Sequence, residues 1–77
     1  MVILIQCKDR VGLVAAITGV LAARNLNIVS MREHVDVQAN VFFARIVSAQ
    51  ETAVEELQLQ LKAVLPVDAN ISINPEP

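Results

Sequence analysis

Asp9, Arg10 and Gly12 stand together just ahead of a stretch with helical spacing, and Asn27 stands just ahead of an extended one. The first N–H groups of a helix have no intrahelical acceptor, so a helix start attracts carboxylates and phosphates. Asp9 is predicted to accept from those amides as the N-cap. Gly12, having no Cβ, lets another backbone or a small ligand come close. Other residues remove whole classes of chemistry. Cys7 is the single cysteine, which excludes an internal disulfide and any Cys-x-x-Cys metal or redox site, and it reads as a small hydrophobe. His34 has no second His or Cys nearby, so no metal site is expected. No nucleophile has a base in evident reach, no carboxylates pair at a defined spacing, and there is no phosphate-binding glycine loop. The chain is read as non-enzymatic, with no catalytic residue and no cofactor.

The elements that must position these residues follow from the apolar pattern. Met1 to Gln6 is continuously apolar up to its last residue, as in a central strand covered on both faces. A helix is predicted over Val11 to Arg24, burying Leu13, Ile17, Val20 and Leu21 with Val14 beside them. Ala15, Ala16, Ala22 and Ala23 are small enough for it to lie close to a sheet or to a copy of itself. Asn25 can take the left-handed conformation that stops it. Ile28 to Asp36 mixes Val29, Met31 and Val35 with Ser30, Arg32 and His34, an edge-strand pattern. That alternation places Arg32, His34 and Asp36 on one face as a surface ladder, with Arg45 able to join from the next strand. Val37 to Asn40 form a hairpin loop with Asn40 at positive φ, and Val41 to Ser48 is a second central strand. Phe42 and Phe43 point to opposite faces.

Thr52 and Glu55 form a predicted capping box for a second helix, with Val54, Leu57, Leu61, Val64 and Leu65 buried and Pro66 ending it. Leu59 is off that stripe and free to meet a partner. Ala69, Ile71 and Ile73 alternate with polar residues in a last strand, closed by Pro75, Glu76 and Pro77. The order strand, helix, strand, strand, helix, strand is α+β. Right-handed crossovers make it a ferredoxin-like βαββαβ sandwich, a four-stranded antiparallel sheet with two helices on one face and the first and third strands central.

Size and charge bound the partners. Fifty-five per cent of the 77 residues are hydrophobic, with two Phe and no Tyr or Trp. So small and aliphatic a chain, read as one domain over residues 1–77, is expected to bury surface in a homodimer. The net charge is −2 and the six basic residues are scattered, which argues against nucleic acid. No apolar run reaches the roughly 20 residues of a membrane span. No basic leader precedes the first strand, so a cytoplasmic location is the default.

Asp9-Arg10-Val11-Gly12-Leu13-Val14-Ala15, followed by Leu26-Asn27-Ile28, resembles the ACT domain, a small regulatory module that binds amino acids. Cys7-Lys8-Asp9, Asn27-Ile28-Val29, Glu33-His34-Val35-Asp36 and Phe42-Phe43-Ala44-Arg45 extend the resemblance to the N-terminal ACT domain of formyltetrahydrofolate deformylase, over most of residues 2 to 47. That family usually has proline where Lys8 stands and glycine before the paired phenylalanines. The resemblance implies a regulatory role in one-carbon metabolism and purine biosynthesis. It also implies an amino-acid site at Asp9, Arg10, Val11, Gly12, Leu13, Asn27 and Ile28, between one subunit's first loop and its partner's second strand. The ligand expected is a small amino acid such as glycine, and the regulated activity would lie in a separate enzyme partner. The deformylase catalytic domain follows its ACT domain, whereas this chain ends at Pro77, so that active site is not expected here. Arg10 and Asn27 superficially match the Arg and Asn of acylphosphatases, which share the fold, but the glycine-rich loop is missing. The other reading is an oligomerisation or docking module with no small-molecule ligand.

Overall fold

The computed structural model describes residues 1–75, so Glu76 and Pro77 of the expected closing Pro-Glu-Pro lie outside it. Its elements are β1 (Val2–Lys8), α1 (Leu13–Ala23), β2 (Ile28–Asp36), β3 (Val41–Ser48), α2 (Val54–Val64) and β4 (Asn70–Asn74). The sheet runs β2-β3-β1-β4 with every neighbouring pair antiparallel, so the two apolar strands are central, as the crossover rule requires.

Alternation sorts each strand into two faces. Ile3, Ile5 and Cys7 of β1 and Phe42, Ala44 and Ile46 of β3 are buried toward the helices. They meet Leu13, Ile17 and Leu21 of α1 and Leu57, Leu61 and Leu65 from α2 and its end in one core. Each such Ile or Leu contributes on the order of 1.5–3 kcal/mol by leaving water. Phe43 and Leu4 fall on the opposite face and stay 37% and 41% exposed.

The end of α1 is set by backbone geometry. Asn25 takes φ 59, its N–H donates to Ala22 O (3.0 Å), and Leu26 N–H donates to Leu21 O (3.0 Å). That pair of bonds satisfies the last carbonyls and turns the chain toward β2. Asn40 has φ 57 in the β2–β3 hairpin, as expected.

The helix starts differ from the sequence reading. Helix α1 begins at Leu13, with Gly12 as N-cap and no side-chain cap, so Asp9 is not the cap. Gly12 sits at φ 91 and ψ 5, the geometry of the third residue of a type II turn. That turn delays the helix by two residues and carries Asp9 out of reach of its amides. Helix α2 has Ala53 as N-cap, again with no side-chain bond, so Thr52 and Glu55 form no capping box.

Thr52 is held by Arg24 instead. The Arg24 guanidinium donates to Thr52 Oγ1 (2.7 and 3.1 Å), Gln60 Oε1 (3.0 Å) and Glu56 Oε2 (3.2 Å), tying the end of α1 to the start of α2. The Arg24 side chain is 16% exposed, so these bonds are only partly screened. Arg24→Ala is expected to cost about 1–2 kcal/mol, seen as a fall in Tm of roughly 5–15 °C. Thr52→Ala should have little further effect in that background, whereas a capping role for Thr52 would keep the two losses additive.

Candidate functional site

Asp9, Arg10, Val11, Gly12 and Leu13 come together at the end of the sheet where β1 finishes. Asp9 N–H donates to Asn40 O (2.9 Å), which lashes the loop to the β2–β3 hairpin. Lys8 N–H donates to both Asp68 carboxylate oxygens (3.0 and 3.3 Å), so the α2–β4 connection braces the same end. Arg10 is drawn sideways: its guanidinium donates to Val64 O (2.8 Å), a carbonyl at the end of α2. Such a cation suits a helix C-terminus, and it leaves the remaining guanidinium N–H groups for other acceptors.

The first bond of α1 runs from Ala16 N–H to Gly12 O (2.9 Å). The N–H groups of Leu13, Val14 and Ala15 therefore precede the helical ladder, and no acidic side chain stands in the first turn. Val11 is fully exposed beside them. A Cβ built at Gly12 would meet no atom within 4 Å. Within this chain the glycine is thus required by its positive φ, and no other backbone makes the close approach that is one of the two uses expected of the missing Cβ.

Cys7 lies just beneath this loop. Its thiol is buried, and burial first, then the Asp68 carboxylate, raises its pKa above the usual thiol value. It stays neutral and unreactive at physiological pH, in keeping with a structural role.

Asn27 and Ile28 are at the other end. Strands β1 and β2 are parallel to each other across β3. Ile28 pairs with Ser48, while both Lys8 and Asp36 pair with Val41. Seven residues of β3 separate the two ends, roughly 24 Å of strand. Asn27 N–H donates to Gln50 Oε1 (2.7 Å), and Asn27 O accepts from Ala49 N–H (2.9 Å), leaving its side chain exposed. One chain therefore does not bring Asn27 to Gly12. Asp68 and the Asn40 carbonyl, which shape the loop end, carry no signal in the sequence because both act across long separations.

A family model of the ACT domain matches residues 1–64. The chain belongs to the ACT domain family. ACT domains are regulatory modules, typically binding small molecules, and are not themselves catalytic. This ACT domain is similar in structure to formyltetrahydrofolate deformylase from Pseudomonas syringae pv. tomato str. DC3000, at 26% identity and TM-score 0.75, covering 92% of this chain and 26% of that one. The deformylase from Burkholderia mallei ATCC 23344 shares 22% identity with TM-score 0.79, over 95% and 27% of the two chains. An ACT domain protein from Streptococcus pneumoniae matches at 23% identity and TM-score 0.69, over 95% and 84%. The chain thus spans about a quarter of the deformylases, over their regulatory ACT part. No curated protein sequence matches it. Among the described residues no helix is long and apolar enough to cross a membrane.

Proposed function

We propose that this ACT domain is a regulatory sensor of a small amino acid, glycine-sized by preference, working as a homodimer on a separate enzyme partner. The observation that supports it most is the split of the candidate residues between the two ends of the sheet. Strand β2 is an edge strand with a row of unpaired backbone groups. A two-fold axis pairing β2 antiparallel with its copy makes one eight-stranded sheet. It also sets the partner's strand start beside the Asp36 end of the first subunit, the end that holds the Asp9–Leu13 loop. The ligand carboxylate then meets the free amides of Leu13 and Val14, and its amine meets the Asp9 carboxylate. Asn27 reaches in from the partner, Arg10 keeps spare donors at the rim, and Val11 and Ile28 wall the site. The deformylase likeness supports one-carbon metabolism and purine biosynthesis as the setting, in the cytoplasm.

Thermal melting tests the reading. At a hundredfold excess over Kd a ligand adds about 2.7 kcal/mol, which for a domain this size raises Tm by roughly 10 °C or more. Glycine, alanine or serine at millimolar concentration is expected to give that rise. A flat response to all twenty amino acids favours the docking module.

A further inference from the structure

A concavity lies well away from the loop end. It lies on the sheet face opposite the helices, a shallow basin of about 600 Å³, within the range of small-ligand sites. Register places Arg32 directly across from Arg45, and one row along places His34 directly across from Phe43. Like charges opposed on one face of a sheet repel. Among the described residues the one ion pair is Arg24–Glu56, and the arginine hydrogen bonds belong to Arg10 and Arg24. Arg32 and Arg45 thus face the basin with no ion-pair partner among the described residues. The carboxylate on the same face, Asp36, accepts from Ala39 N–H (3.1 Å) and does not line the basin, and Glu33 lines it from the opposite parity of its strand.

The second row supplies a different chemistry. The His34 and Phe43 rings stack with centroids 6.1 Å apart and planes 28° from parallel. This ring pair lines the same basin as the two arginines. We propose that this face binds a small aromatic carboxylate, its carboxylate shared by Arg32 and Arg45 and its ring lying against Phe43 and His34. A carboxylate matches the planar donor fork of arginine better than a point anion does, and it relieves the repulsion of the pair. The aromatic body replaces water over Phe43, which the fold otherwise leaves exposed. The site stands apart from the Asp9–Leu13 loop, so its fate is independent of the amino-acid reading.

Nitrogen-15 NMR on the whole chain tests it, with benzoate as the probe and acetate and benzyl alcohol as its two halves. Benzoate is expected to shift the Arg32, Arg45 and Phe43 signals saturably, and each half to bind at least about tenfold more weakly. Arg45→Gln should lose about tenfold or more in benzoate affinity, Arg45→Lys should lose less, and Phe43→Leu should weaken benzoate while sparing acetate. Three results overturn the proposal: no saturable shift at tens of millimolar benzoate, shifts unchanged in Arg45→Gln, or acetate matching benzoate. Shifts on this face that follow protein concentration without any probe also overturn it, because a second copy would then be the occupant.

Discussion

Gly12→Val is expected to destabilise the domain by about 2–3 kcal/mol and to abolish amino-acid binding, whereas Gly12→Asn should abolish binding at far less cost to the fold. The difference comes from φ 91 at this position. A β-branched residue held in the left-handed region is a severe backbone outlier, with strain of order 1–3 kcal/mol. Asparagine tolerates that region through local hydrogen bonding. Both side chains start in open space, where a Cβ at Gly12 meets no atom within 4 Å, and the expected loss of binding supposes that the ligand uses that space. Urea unfolding and a glycine titration on the two variants separate the effects. If Gly12→Asn bound glycine normally, the ligand would not sit over the turn.

The second large effect concerns the β2 edge. Along an antiparallel strand, successive N–H groups point alternately to the neighbouring strand and to the free edge. Of Glu33→Pro and His34→Pro, one therefore removes a bond to β3 and the other removes a donor from the edge. The first is expected to unfold the domain. The second should stay folded and become monomeric, with dimer Kd raised by about a hundredfold or more, because the two-fold axis repeats every lost bond and every ring clash. Circular dichroism reports the fold and light scattering the mass. A folded variant that remains a dimer contradicts pairing through β2, as does a monomer mass for the parent chain at micromolar concentration.

Particular residues show what the sequence revealed and where it stopped. The apolar runs at Met1–Gln6 and Val41–Ser48 announced central strands, and central they are, but not covered on both faces as that pattern implies. Leu4, Gln6, Phe43 and Arg45 stay exposed on the face away from the helices. Phe42 and Phe43 were assigned to opposite faces by period two alone, and Asn25 and Asn40 to positive φ by their chemistry. The caps were misread for a different reason. Asp9 has the right type for an N-cap, but the turn at Val11 and Gly12 intervenes. Thr52 has the right spacing for a capping box, but its hydroxyl faces a guanidinium 28 residues away. Local chemistry proposes a partner, and a tertiary contact of greater strength takes it. Arg10 went the same way, toward Val64 O. The Asp9–Leu13 half of the candidate site was legible because it is contiguous. Its distance from Asn27 was not, since it depends on which way β2 runs in the finished sheet.

The central claim is that each amino-acid site takes its loop from one subunit and its asparagine from the other, and mixing two inactive variants tests it directly. Gly12→Asn and Asn27→Ala should each bind glycine weakly or not at all as pure dimers. Subunit exchange then forms heterodimers in which one site carries both substitutions and the other carries neither. Calorimetry on the equilibrated mixture is predicted to recover about a quarter of the parent sites at the parent affinity, as a two-fold interface with random exchange requires. A mixture that binds no glycine, while the parent chain binds it and exchange is complete, would contradict a site shared between subunits.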